Sequence, residues 1–211
     1  MTEQITSDVT DQEINPATAR WTMIGLCALF FLVALMPRAL TSRGLLCAVI
    51  GWGAALSCLL LVLSRLRDPV RMSVVLRRPH YVQLLVQGAI FIYWGWHWDA
   101  VYREMPLILS QVVFAYLVEL IICWWRHGEW RIGFGPWPIV FSTNLFLWFH
   151  DDYFAAQYLM IALAYLSREL LRWERDGRSV HIFNPSAFGL CVVSLVLIAF
   201  ELPHLTWGAE I

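Results

Sequence analysis

Apolar residues fall along this chain in blocks of helical rather than strand length, separated by short polar or charged breaks. Seven blocks stand out, at about 21–36, 44–63, 80–98, 106–125, 137–149, 153–171 and 185–200. Crossing a hydrocarbon core takes roughly 20 apolar residues. On that measure the pattern predicts an all-α chain, a polytopic transmembrane helical bundle of about seven membrane segments with one or two half helices.

Two blocks are too short to cross. The fifth, 137–149, would reach only about 20 Å as a helix, at roughly 1.5 Å per residue. Gly133, Gly135, Pro136 and Pro138 stand before or at its start and break whatever precedes it. The seventh, 185–200, follows His181-Ile-Phe-Asn-Pro-Ser-Ala-Phe-Gly189. There Asn184 is expected to cap the free backbone donors and Pro185 to take the first helical position. A helix entered through Asn-Pro between charged residues and an apolar run is expected to start inside the protein, at membrane depth. Whether the fifth block crosses or re-enters sets the side on which everything after it lies.

Composition strengthens the membrane reading: 59% of the residues are hydrophobic, 15% aromatic, and the mean hydropathy is +0.60. The expected layout is a polar N-terminal tail at 1–20 and one helical membrane domain at 21–211. The tail is acidic, so no cleaved signal peptide is expected. A net charge of −1 gives no sign of a nucleic-acid partner; the lipid bilayer and other membrane subunits are the expected partners. The five cysteines, Cys27, Cys47, Cys58, Cys123 and Cys191, each lie in an apolar block and read as small hydrophobes.

Lysine is absent, so arginine placement sets orientation. Arg20, Arg65, Arg67, Arg71, Arg77, Arg78, Arg126, Arg131, Arg168, Arg172, Arg175 and Arg178 fall in breaks on one side, against Arg38, Arg43 and Arg103 on the other. Basic loops are retained inside. This predicts a multi-pass protein of the bacterial inner membrane with a cytoplasmic N-terminus, and it puts the Asn184–Pro185 entry on the cytoplasmic side. The arginine-rich link 64–79 reads as an interfacial segment or a plain positive-inside loop. Trp94, Trp96, Trp98 and Tyr102, and Trp124, Trp125, Trp130 and Trp137, read as two aromatic belts.

Polar groups at membrane depth must be satisfied, which makes them the place to look for function. Glu119 is expected to pair with an arginine of a neighbouring helix, to be protonated and internally bonded, or to carry a proton or ion. Ser142 and Thr143 can bond back to their own helix, whereas Asn144 needs a partner from elsewhere. His150-Asp151-Asp152 reads as a solvated turn, and no metal site is expected. The run Arg168 to Gly177 is expected to continue the sixth helix with ion pairs on one face, Glu169 with Arg172 among them. Arg168 or Arg172 could hold a phosphate, given a partner site. Two short helices, each introduced by proline and each carrying Asn or hydroxyl groups near the break, point to a binding site at depth facing helix N-termini.

Phe183-Asn184-Pro185-Ser186-Ala187 with Gly189 resembles the Asn-Pro-Phe-Asn-Pro-Ala motif of the NqrB/RnfD family, and Ser142-Thr143-Asn144-Leu-Phe-Leu147 stands where that family has its upstream half helix. The closest flavour is the RnfD-like UnbU branch, and the resemblance covers roughly residues 65–211. It implies an inverted-repeat helical fold, of which the chain would be the N-terminal half, and a flavin or quinone held non-covalently. Phe183, Asn184, Pro185, Ser142, Thr143 and Asn144 are the expected cofactor-binding residues, with no catalytic residue in the chain itself. The family's Ser/Thr-Gly-Ala-Thr attachment motif is absent, so covalent FMN is not supported. The resulting expectation is a membrane subunit of a flavin- or quinone-linked electron-transport complex. The alternative is a non-catalytic accessory subunit of a respiratory or photosynthetic complex, and a small-solute channel follows only from fold analogy.

Overall fold

A computed structural model describes residues 8–12, 16–67, 71–175 and 178–207. Among them the chain forms helices α1 (Pro16–Leu32), α2 (Pro37–Thr41), α3 (Arg43–Leu66), α4 (Arg78–His97), α5 (Asp99–Arg103), α6 (Met105–His127), α7 (Pro136–Phe146), α8 (Phe154–Leu170) and α9 (Pro185–Ala199). Five short strands accompany them: β1 (Asp8–Gln12), β2 (Arg71–Leu76), β3 (Glu129–Gly133), β4 (Arg172–Arg175) and β5 (Arg178–His181).

Helix ends follow local chemistry. Ser42 caps α3 by accepting from the Leu45 N–H at 3.2 Å. Asn184 caps α9 by accepting from the Ser186 N–H at 3.1 Å. Proline sits in the first turn of α4, α6, α7 and α9, where its missing N–H costs nothing. Gly128 ends α6 in the left-handed conformation that glycine adopts without strain.

The seven-segment transmembrane bundle is not what the chain forms. A helix does occupy each apolar block, but among the described residues only α3 and α6 are both long enough and apolar enough to cross a membrane. The other blocks fail for different reasons. α7 has 11 residues and α9 has 15 residues. At roughly 1.5 Å per residue they reach only about 16 Å and about 22 Å. α1 and α8 have 17 residues each. α4 is 20 residues long, but Arg78, His80, Gln83, Gln87 and His97 dilute its apolar run. Beside the helices, two small sheets form.

Those sheets replace two expected features. The link 64–79 is not a plain loop: within it β2 is the central strand of a three-stranded sheet, antiparallel to β1 and parallel to β3. β2 follows α3 and β3 follows α6, so both long helices deliver their C-terminal ends to one sheet. β1 uses part of the expected N-terminal tail, and α1 also begins within it, at Pro16. After α8 the chain does not continue as a helix. It turns into the β4–β5 hairpin, which pairs Arg172 with His181; Asp176 and Gly177 lie outside the described residues.

α6 is the central helix, packed by α1, α3, α7, α8 and β3. Its Phe114 meets Tyr158 of α8 and Phe30 of α1 at ring separations of 5.1 and 6.2 Å. α8 and α9 approach closely at Gly189, where a Cβ would stand 2.6 Å from the Met160 carbonyl oxygen. The aromatic belts are only partly surface features. Trp124 and Trp130 are buried against each other at 5.8 Å, and Trp94 and Trp98 join Trp148 and Trp207 in a closed ring of contacts. Trp96 and Trp125 remain exposed.

Candidate functional site

Three helices start around one polar cavity of about 770 Å³. α4 contributes His80 and Gln83, with Arg77 just ahead of it; α7 contributes Pro138, Ile139 and Ser142, with Gly135 at its cap; α9 contributes Pro185 and Ser186, with Asn184 at its cap. The β2–β3 pair lines it with Ser73, Val75, Arg131 and Gly133, and Tyr116 of α6 holds β3 by donating to the Gly133 carbonyl at 2.8 Å. His181, Ile182 and Phe183 line it from the segment ahead of α9.

The expected site residues divide. Ser142, Phe183, Asn184 and Pro185 line the cavity together. Thr143 and Asn144 do not: both are fully buried on the core side of α7. Thr143 donates back to the Ile139 and Val140 carbonyls at 3.1 and 2.9 Å. Asn144 finds the outside partner its depth requires, donating to Gln111 Oε1 at 2.6 Å and accepting from Gln157 Nε2 at 3.0 Å. Gln157 also donates to the Leu147 carbonyl at 2.7 Å and accepts from the Phe149 N–H at 3.0 Å. Those bonds satisfy backbone released where α7 stops, which allows a helix to end inside the protein.

The chain beyond α7 then joins the chain beyond α9. Phe149 bridges Thr206, the His150 N–H donates to the Leu205 carbonyl at 2.9 Å, and the Trp207 N–H donates to the Trp148 carbonyl at 3.0 Å. The two short helices therefore start together at the cavity and end together at this junction, running in the same direction.

Nothing in the sequence joins the charged lining into one site. Arg168 Nη2 pairs with Glu119 at 2.6 Å and Arg168 Nε approaches Glu169 at 3.5 Å. Glu119 thus has its partner on a neighbouring helix, the first of the three expected readings. Glu169 is also approached by Arg172 at 3.6 Å and by His127 at 3.4 Å. Arg131 pairs with Glu129 at 2.5 Å. Burial pushes the His80 imidazole below its ordinary value, and Arg77 and Arg168 push it the same way. His181 is lowered too, by partial burial and then by Arg168, Arg172 and Arg77. Both rings are therefore neutral near pH 7. Arg77, His80, Arg131, Arg168 and His181 are scattered along the chain, and their sequence signal is the clustering of basic residues in breaks on one side.

No protein-family model, curated protein or solved structure matches this chain. Among the described residues no group of three or more His, Cys, Asp or Glu side chains could hold a metal ion.

Proposed function

We propose that the chain is a membrane-embedded subunit of an electron-transport assembly that holds a flavin- or quinone-class ring cofactor in the cavity between α4, α7 and α9. The observation that carries this reading is that Ser142 of α7 lines the same cavity as Phe183 and Asn184 at the start of α9. The cavity's volume suits an organic ligand, for which pockets on the order of 300–1,000 Å³ are usual.

The lining fits such a group. Ser142 Oγ accepts from Gln87 Nε2 at 2.8 Å, which leaves its own O–H free to donate inward. The Oδ1 of Asn184 is used in the cap, so its Nδ2 is the part available to a ligand. Phe183 is about half exposed and offers a ring face against Phe188 at 5.7 Å. A flavin or quinone bound there would supply the redox chemistry, while the chain would position the ring and tune its potential by hydrogen bonding and burial.

Membrane embedding draws support from α3 and α6 and from the apolar exterior. Leu85, Ile92, Tyr93 and Trp96 of α4 are exposed, as are Leu59, Leu61 and Val62 of α3. Side chains of this kind in contiguous stretches suit lipid or partner subunits rather than water. The arginine-rich breaks gather at the sheet-and-cavity end, which on the positive-inside rule faces the cytoplasm.

Visible spectroscopy of the purified protein, before and after denaturation, tests the cofactor. A flavin band or extractable quinone is expected, and a well-folded preparation with neither would sink the reading.

A further inference from the structure

We infer that the cavity holds a phosphate-class dianion, seated between Arg77, His80, Arg168 and the first turn of α7. The inference deepens the proposed function and rests on its claim that the cavity is a ligand site: it assigns the occupant a phosphomonoester group, which a neutral quinone lacks.

Charge on the lining favours an anion. Four arginines, Arg77, Arg131, Arg168 and Arg172, face three glutamates. Glu119 is taken by Arg168 and Glu129 by Arg131, while Glu169 is shared among Arg168, Arg172 and His127. Among the described residues the lining therefore carries one more arginine than glutamate, and Arg77, which is exposed, makes no ion pair there. An anion entering this recess finds a cation not already committed, whereas a cation would be repelled.

Geometry supplies the seat. A Cβ built on Gly135 would stand 3.8 Å from Arg168 Nη1 and 3.8 Å from both Cε1 and Nδ1 of the His80 ring. The missing side chain at Gly135 thus leaves a gap flanked by a guanidinium and an imidazole, in front of a helix start. No side chain caps α7, although Pro136 and Pro138 remove two of its N–H groups. Gly135, Pro138 and Ile139 line the cavity there, which puts the positive end of the helix dipole at that gap. Donors approaching from Arg77 and His80 on one side and Arg168 of α8 on the other, with a helix start between them, suit a compact oxyanion. The neutral state of His80 is consistent with an electropositive recess, and it leaves the ring an N–H to donate.

A phosphomonoester reaches such a seat from two sources: a soluble molecule such as a mononucleotide, or a lipid headgroup of the phosphatidic-acid type. Calorimetric titration of the detergent-purified full chain with inorganic phosphate tests the shared chemistry. Saturable binding is expected at one site per chain, weakened about tenfold or more in Arg77→Gln, as loss of a charged hydrogen bond predicts. Gly135→Ala should weaken it similarly, because its methyl enters the seat. The backbone at Gly135 is in the right-handed helical region, which accepts alanine, so the variant should keep its melting temperature. Absent phosphate binding, or binding that both variants leave unchanged, overturns the inference. Repeating the titration in phosphatidylcholine nanodiscs with and without phosphatidic acid separates the sources: loss of phosphate binding with phosphatidic acid assigns the seat to lipid, and undiminished binding assigns it to a soluble ester. Flavin in the purified protein without any phosphate binding would leave the cofactor reading standing and this inference failed. Phosphate binding in a protein that takes up neither flavin nor quinone would do the reverse.

Discussion

Arg168 stands between two carboxylates, and removing it strands Glu119 and leaves Glu169 to Arg172 and His127. Glu119 and Glu169 are 7% and 2% exposed, so neither can recover its hydration where it lies. Arg168→Gln is expected to destabilise the protein by about 3 kcal/mol, the usual scale for leaving a buried charge uncompensated. A double-mutant cycle with Glu119→Gln, followed by thermal melts, should return a coupling of about 1 kcal/mol or more; additive effects would mean that the 2.6 Å contact contributes nothing. His80 gives a pH dependence. Its folded value lies below the ordinary 6.5, held there by burial and by Arg77 and Arg168. The unfolded chain therefore binds the proton first. The stability contribution of the neutral ring is present above about pH 6.5 and is lost as pH falls through the lower folded value. His181 adds in the same direction, facing Arg168, Arg172 and Arg77 with only Glu169 opposed. The melting temperature should drop between about pH 7.5 and about pH 5, and the drop should be smaller in the His80→Gln variant.

At the scale of elements, the two short helices depend on different devices. α9 depends on its cap: Asn184→Ala should cost about 1 kcal/mol by losing the Oδ1 acceptor of its first turn, measurable by denaturant melts in detergent. It also depends on Gly189, whose substitution by alanine would drive a methyl towards the Met160 carbonyl and part α8 from α9, at about 1–3 kcal/mol. α7 depends instead on the buried amides of Gln111, Asn144 and Gln157. Gln157→Leu leaves the Leu147 carbonyl and the Phe149 N–H without their partner and should destabilise more than Asn184→Ala, since those groups cannot turn to water. The reverse order in melts would show that the junction beyond α7 is solvated.

Across the molecule, the cavity end and the opposite end differ in their charge design. Opposite the cavity, Arg38 of α2 holds Glu104 at 2.5 Å and Asp151 at 2.8 Å, tying α2 to the start of α6 and to the turn before α8. The side chains of Arg38 and Asp151 are 22% and 44% exposed, so their contact is worth little, while Glu104 is buried. Arg38→Ala should therefore lower stability several-fold more than Asp151→Asn in thermal melts. At the cavity end the cations outnumber their partners, and that surplus is the basis for an anionic occupant.

The sequence by itself determined where the seven longer helices form, because block length and proline, glycine and Asn-Pro punctuation act within a few residues. It also determined that 137–149 and 185–200 are short and that arginines segregate to one set of breaks. It marked Asn144 as needing a distant partner without naming it. The number of crossing helices was not legible, because apolar blocks look alike whether they meet lipid or, as in α6, mostly other helices. Strands β2 and β4 were hidden because their pairing energy comes from segments distant in sequence or across a turn, and their charged residues read equally well as loop or helix end. Only the tertiary structure decided that Ser142 faces the cavity while Thr143 and Asn144 face the core, since successive positions on a helix point about 100° apart. It alone gathered Arg77, His80, Gly135, Arg168 and His181 into one recess: helix starts supply fixed positive ends only once packing has aimed them at the same space.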